Sequence, residues 1–257
     1  MRLKGKIAII TGGGRGIGLA GASAFVREGA KVVLAEIDEG LGRKAEARLR
    51  AAGGDAMFVR TDCSRSEDVQ ALMAETKRLY GGLHVLYNNA SVYLAKADGP
   101  VTAVSEETWA RVLAINLGSV FLCCKYGIPL IIASGGGSVI VTGSSASVMG
   151  TPGNDAYTAT KGATVSLTRS MAVEYGPKGV RVNCICPAGI ETEMVKVSSL
   201  ENPAFDAAYF FKRAPLGRLG TPVEIANLAV FLASDESSYI NGAIIRADGG
   251  ITVTPIS

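Results

Sequence analysis

Residues 11–18 read Thr11-Gly12-Gly13-Gly14-Arg15-Gly16-Ile17-Gly18. They follow a short apolar run, Lys6–Thr11, and open a segment, Gly16–Glu28, whose apolar residues recur with helical spacing. Glycines at such a junction let the chain turn tightly, bring backbone amides close to an anion, and allow the helix to pack against the strand. The positive end of the helix dipole then faces the same anion. A glycine turn by itself is only a flexible connection, but one set between strand and helix in a βαβ unit predicts a dinucleotide site. Gly12, Arg15, Gly16, Ile17 and Gly18 are its candidate contacts. Glu36 ends the next apolar run, Lys31–Glu36, where an acid can accept hydrogen bonds from both adenosine ribose hydroxyls.

Outward from this loop, apolar runs alternate with helical patterns. Strands are expected at Lys6–Thr11, Lys31–Glu36, Ala56–Arg60, Leu83–Tyr87, Ser138–Thr142, Val180–Cys186 and Ala243–Arg246. Helices are expected at Gly16–Glu28, Glu39–Ala52, Glu67–Tyr80, Glu106 to about Ala133, Asp155–Tyr175 and Pro222–Ala233. Strands that are apolar without alternation are covered on both faces, so the pattern predicts an α/β fold with a doubly wound parallel sheet. Ligands of such sheets bind beyond the carboxyl ends of the strands.

Composition narrows the function. The 257 residues, 48% hydrophobic, suffice for one large domain spanning 1–257. A net charge of +3 with scattered basic residues gives no reason to expect a nucleic-acid partner. Cys63, Cys123, Cys124, Cys184 and Cys186 are an odd count without paired CxxC spacing, and His84 is the single histidine, so no metal site is expected and buried free thiols in a reducing cytoplasm are. The start of the chain, with few apolar residues before the glycine loop, reads as too short for a signal peptide. Val112–Ala133 is strongly apolar, but Asn116, Lys125 and Pro129 interrupt it, so a buried helix is expected and no membrane partner.

The chemistry is expected in residues 143–161, GSSASVMGTPGNDAYTATK. On a helix starting after Asn154, Tyr157 and Lys161 lie at i and i+4 on one face. A tyrosine titrates near ~10 in water, and an ammonium about 4 Å from its oxygen at an effective dielectric of about 20 lowers that by roughly three units. Tyr157 would then serve as a base near neutral pH. Tyr-x-x-x-Lys is ordinarily a solvated helix face, but of eight tyrosines here only Tyr157 has lysine four residues on.

TGGGRGIG resembles the TGxxxGxG fingerprint of the short-chain dehydrogenase/reductase family, and the resemblance extends over nearly the whole chain. Asn88-Asn89-Ala90 resembles its NNAG motif, Asn116 its helix asparagine, Ser144, Tyr157 and Lys161 its catalytic serine and YxxxK, and Pro187–Thr192 (PAGIET) its PGxxxT segment. GRLGTPVEIA and ADGG near the C-terminus are similar to it as well. The resemblance implies a single-domain Rossmann fold in which Ser144 binds the substrate oxygen, Tyr157 moves the proton, Lys161 holds the ribose and lowers the phenol's pKa, and Asn116 holds a relay water. Asp62 and Cys63 would meet the adenine, although DCSRSED also reads as a helix cap. Asn88, Asn89 and Ala90 would line the cofactor site, with Pro187, Gly189, Ile190 and Thr192 at the nicotinamide end. Ser144, thirteen residues before Tyr157, has the family's spacing; Ser145 and Ser147 are the competing serines.

The chain departs from the pattern at Ser91, for the last glycine of NNAG, and at Ala188, for the glycine of PGxxxT. His84 stands where the family often has aspartate and reads as structural. For the cofactor, Arg15 favours a 2′-phosphate while Glu36 opposes one and Ile37 offers no second cation, so NAD is expected. The reading is an NAD-dependent oxidoreductase interconverting a secondary alcohol and a ketone. Two alternatives share the motifs: a reductase of 3-oxoacyl thioesters and a non-catalytic nicotinamide-dinucleotide sensor or scaffold. The substrate pocket is expected from Val92–Lys96, Val148–Asn154 and a lid over Thr192–Pro215 that includes Phe205, Tyr209, Phe210 and Phe211, which suggests a mostly apolar small-molecule substrate. The family is commonly tetrameric, and Phe121–Tyr126 with Val165–Val173 are the faces by which a homo-oligomer would form.

Overall fold

A computed structural model describes residues 1–196 and 213–254. Its strands are β1 (Ile7–Thr11), β2 (Lys31–Glu36), β3 (Ala56–Arg60), β4 (Val85–Asn88), β5 (Gly137–Thr142), β6 (Val180–Pro187) and β7 (Ile244–Ala247). They form one seven-stranded sheet in the order β3-β2-β1-β4-β5-β6-β7, every neighbour pair parallel. The helices are α1 (Gly16–Arg27), α2 (Glu39–Ala51), α3 (Ser66–Tyr80), α4 (Glu106–Leu113), α5 (Ser119–Ala133), α6 (Asp155–Tyr175), the single turn α7 (Glu193–Val195) and α8 (Pro222–Ala233). This is the doubly wound Rossmann arrangement. Strand order reverses where β1 meets β4, and a crevice opens at that switch point.

The strands lack alternation because both faces are covered. In β1, Ile7 and Ile9 pack into the layer containing Leu72 of α3, Ile128 of α5 and Val165 of α6. Ala8 and Ile10 point the other way, to Phe25 of α1, Leu49 of α2 and Val230 of α8. Burying a side chain of Ile, Leu or Phe size stabilises by about 1.5–3 kcal/mol, so each layer holds its helices to the sheet mainly by apolar contact. All five cysteines are free and buried within these layers or at their edge. His84 is structural: its Nδ1 accepts the Ile7 amide at 3.1 Å, and burial, aided by Lys6, holds its pKa below the usual value.

One expected helix differs in detail. Glu106 to Ala133 is continuous, but Ala114–Gly118 is wound as a π-helical turn between α4 and α5. By length and composition this helix is apolar enough to cross a membrane. In the fold its residues Val112, Val120, Cys123, Ile128 and Ile131 are buried, while Phe121 and Val101 of the preceding loop are exposed.

Candidate active site

A cavity of about 660 Å³ lies over the carboxyl ends of the strands. At one end the turn after β1 is fixed by the Gly12 amide, which donates to the Ala35 carbonyl at 2.8 Å. Gly12 and Gly16 have φ of +63° and +54°, a region that costs other residues steric strain. A Cβ on Gly18 would lie 2.0 Å from the Gly12 carbonyl oxygen, so only glycine lets α1 begin this close to the strand. Gly12, Arg15, Gly16 and Ile17 line the cavity; Gly18 stands behind them as the close-packing residue. No side chain caps α1, and its first-turn amides are left for a ligand.

Glu36 is held rigidly beside this loop. Its carboxylate accepts the amides of Gly14 at 3.1 Å, Ile37 at 2.9 Å and Asp38 at 3.2 Å, and the residue is 8% exposed. Asp62 and Cys63 also line the cavity. The Asp62 carboxylate accepts from the amide and hydroxyl of Ser64, at 2.9 and 2.6 Å, which makes it a turn-forming residue as well.

The Asn88-Asn89-Ala90 run divides. β4 ends at Asn88, and the chain beyond it brings Asn89 and Ala90 to the cavity while Asn88 does not reach it. Asn88 is 4% exposed and donates to Cys124 Sγ at 3.4 Å, which corrects its expected place among the cofactor contacts. Asn89 donates to the Thr11 carbonyl at 3.1 Å, and the Thr11 hydroxyl accepts the Asn89 and Ala90 amides, both at 2.9 Å. Thr11 is thus the joint between β1 and β4.

At the other end of the cavity stand Ser144, Tyr157 and Lys161. Ser144 follows β5 and its hydroxyl accepts the Ala146 amide at 3.2 Å. Ser147 is a strut: its hydroxyl accepts the Ser144 amide at 3.1 Å and donates to the Lys161 carbonyl at 2.9 Å, tying the serine turn to α6. Lys161 is 2% exposed, and its ammonium donates to the Thr142 carbonyl at 2.9 Å. It lies 5.5 Å from the centre of the Tyr157 ring.

This corrects the expected lowering of the phenol's pKa. The ammonium is bound to the end of β5 and sits beside the phenol ring. Burial pushes the Tyr157 phenol up to about 12, with the Ser144 side chain pulling it back in part. Burial likewise pushes Lys161 down to about 8, opposed by the thiols of Cys184 and Cys186. Those two thiols are 3.8 Å apart beneath the serine turn. At neutral pH the site therefore presents a phenol able to donate a proton.

Asn116 is 1% exposed in the π turn and outside the cavity wall. Its Oδ1 accepts the Val92 amide at 2.8 Å and its Nδ2 donates to the Val92 carbonyl at 2.9 Å, so the side chain clamps the loop after β4. The loop is also tied to α6. Asp98 accepts the amides of Ala156 and Tyr157 at 3.1 and 2.9 Å, and Tyr93 donates to Asn154 Oδ1 at 2.6 Å while its ring meets that of Tyr157 edge-on at 4.9 Å. Thr11 and Asp98 have no role assigned from the sequence, which places Tyr93 only within the expected substrate pocket. The Asp98-Gly99-Pro100 turn signal was visible, but its partner lies in a distant segment.

Pro187, Ile190 and Thr192 line the main cavity, and the Thr192 hydroxyl accepts the Val195 amide at 3.4 Å. Thr192 also packs beside Gly16, its Cγ2 3.3 Å from where a Cβ would stand there. Gly189 instead lines a second cavity of about 580 Å³ with Arg218 and Asp248. Phe205, Tyr209, Phe210 and Phe211 lie outside the described residues. No group of three or more metal-ligating side chains occurs among the described residues.

The residues present fit a nicotinamide dinucleotide. One cavity joins an uncapped helix start, a fixed carboxylate and, at its far end, a serine, a tyrosine and a buried lysine without a carboxylate partner among the described ion pairs. Residues 12–252 match a family model described as enoyl-(acyl carrier protein) reductase. The chain is 39% identical over 252 residues to a 2,5-dichloro-2,5-cyclohexadiene-1,4-diol dehydrogenase of Sphingobium indicum, covering 98% of each chain. It is similar to the crystal structure of levodione reductase, with a TM-score of 0.94 and 32% identity over 99% of this chain and 100% of that one. A gluconate 5-dehydrogenase from Burkholderia cenocepacia, solved with NADP and tartrate, gives 0.93 and 32% over 99% and 98%.

Proposed function

This chain belongs to the short-chain dehydrogenase/reductase family, and from that premise we propose that it is an NAD-dependent oxidoreductase interconverting a secondary alcohol and a ketone, with Tyr157 as acid–base group. The family binds nicotinamide dinucleotides, and the relatives above are dehydrogenases and reductases of hydroxyl and ketone compounds by name. The observation that carries the finer reading is the meeting of Ser144, Tyr157 and Lys161 in the cavity that begins at the glycine loop.

A bound nicotinamide dinucleotide supplies the hydride acceptor or donor. The glycine-loop amides of α1 would hold its pyrophosphate, Glu36 its adenosine ribose, and Lys161 its other ribose. Ser144 positions the substrate oxygen by hydrogen bonding, and Tyr157 gives that oxygen a proton in reduction or takes it in oxidation. Asn116, its side-chain amide committed to Val92, would serve a relay water through its main chain. Tyr157→Phe is expected to keep NADH binding and lose turnover by orders of magnitude, because the ring still packs while the proton-transfer group is gone. Near-normal turnover by that variant removes the assignment. Lys161→Ala should damage both cofactor affinity and rate.

A second reading, reduction of a 3-oxoacyl thioester, shares the same site residues; the matched family model's description, an enoyl-(acyl carrier protein) reductase, bears on it only through the acyl-thioester class of substrate, since an enoyl reductase reduces a C=C bond. Following NADH with a panel of secondary alcohols, and its oxidation with a 3-oxoacyl thioester, separates the two. No turnover with any member would favour a dinucleotide-binding sensor.

We further propose one catalytic domain over 1–257, with about 192–215 as a substrate lid, in the cytoplasm, where five unpaired buried cysteines stay reduced. A homo-oligomer, expected to be a tetramer, is supported by exposed Phe121 on α5 and Val173 on α6, 53% and 79% exposed. Sedimentation as a monomer at micromolar concentration would remove that proposal.

A further inference from the structure

We propose that Asp98 is a positioning residue for Tyr157: the loop after β4 supplies the N-terminal cap of the catalytic helix, so that loop and phenol move as one unit. The proposal rests on Tyr157 being the proton-transfer group.

A helix begins with amides that lack intrahelical acceptors, and the preceding residue normally supplies one from its side chain. In α6 that residue is Asn154, which makes no such bond. Its Oδ1 instead accepts the Tyr93 hydroxyl at 2.6 Å. The first three amides find their acceptors in a dipeptide more than fifty residues earlier in the chain. Asp155 donates to the Gly99 carbonyl at 3.2 Å, Ala156 to Asp98 Oδ1 at 3.1 Å, and Tyr157 to Asp98 Oδ2 at 2.9 Å. Thr158, donating to the Asn154 carbonyl at 2.9 Å, makes the first bond within the helix. The tie is returned in the other direction, since Asp155 Oδ2 accepts the Val101 amide at 2.7 Å.

The loop so engaged faces the cavity. Ser91 and Val92 line it, Asn116 pins Val92 from below, and Tyr93 packs edge-on against Tyr157. Asp98 therefore bonds the main chain of the residue whose phenol is in the cavity, while Tyr93 bears on its ring. A carboxylate suits the task because its two oxygens serve two adjacent amides, and because negative charge is favourable at a helix N-terminus. Without it the first turn loses its fixed position, and proton transfer is sensitive to displacements of about 1 Å. Glycine-loop contacts lie at the far end of the cavity and do not depend on this cap.

The test compares Asp98→Ala, Asp98→Asn and Tyr157→Phe, using the most active alcohol of the panel. Asp98→Ala is expected to lower kcat by about tenfold or more while the dissociation constant of NADH, read by fluorescence, stays within about twofold. Asp98→Asn, with one acceptor oxygen in place of two, should recover part of the loss. Hydrogen exchange should rise in both variants in peptides covering 91–101 and 154–161 together, a readout independent of turnover. A wild-type kcat for either variant, beside an inactive Tyr157→Phe, overturns the proposal. So does a parallel fall in NADH binding and kcat, which marks general damage to the fold. If Asp98→Ala does not fold, Asp98→Asn carries the same decision. Wild-type turnover by Tyr157→Phe removes the acid–base reading and the proposal with it.

Discussion

In the proposed preference for NAD, Glu36 is the selector, and it suits that part because it is fixed. Three backbone amides hold its carboxylate, so it has no free rotation away from the adenosine ribose. A 2′-phosphate about 4 Å from it at an effective dielectric of about 20 meets a repulsion of roughly 4 kcal/mol, which exposed Arg15 offsets only in part. We expect kcat/KM to favour NAD over NADP by about thirtyfold or more, equivalent to about 2 kcal/mol. Replacing Glu36 by Ser and Ile37 by Arg should reverse the order. An NADP preference in the unmodified protein would count against Glu36 as the selector. Tyr157 makes a different prediction. With its pKa pushed up to about 12, the phenol is protonated across neutral pH, ready for ketone reduction and not for alcohol oxidation. Between pH 6 and 8, below both this value and the value of about 8 for Lys161, the basic form gains with every rise in pH. Oxidation should therefore accelerate with pH in that window while reduction stays nearly level. A flat oxidation profile would show that the bound state shifts the phenol well below its value here.

Helices begin where local chemistry lets them, and most of these starts were legible. The Ser105 hydroxyl accepts the Thr108 amide at 3.1 Å to open α4, and Thr221 and Glu224 form a reciprocal box with Pro222 at the start of α8. Ser105→Ala touches an exposed site away from the cavity wall, so its cost should be that of one cap, about 1 kcal/mol, or a fall in Tm of about 2–4 °C. Thermal unfolding measures it, and an unchanged Tm would mean that water replaces the hydroxyl without loss. Strand and helix positions followed from period and turn residues, within one or two residues in nearly every element. The π turn at Ala114–Gly118 did not, because its apolar pattern is that of an ordinary helix; within it Asn116 bonds Val92, a partner in a distant segment. The direction of Lys161 was also hidden: spacing put it on the face of Tyr157, but the Thr142 carbonyl that holds it belongs to β5.

Across the whole molecule, sequence pattern reached the sheet and the cavity but stopped at contacts between distant segments. Glycine spacing implied the tight turn beneath α1, and the 2.0 Å clearance at Gly18 supplies its steric reason. Nothing local to Asn154 or Asp155 implied that Asp98 and Gly99 would complete α6. That missing cap has a consequence for the order in which the molecule assembles. Most of α6 can form on local contacts and dock through Val165 and Met171, yet its first turn waits for the chain between β4 and α4 to arrive. Closing so long a stretch carries an entropic delay that local pairings do not. During refolding from denaturant, far-ultraviolet circular dichroism should recover before catalytic turnover, and the last event should be the seating of the loop on the tyrosine. Coincident recovery of both signals would place this turn in the folding nucleus instead.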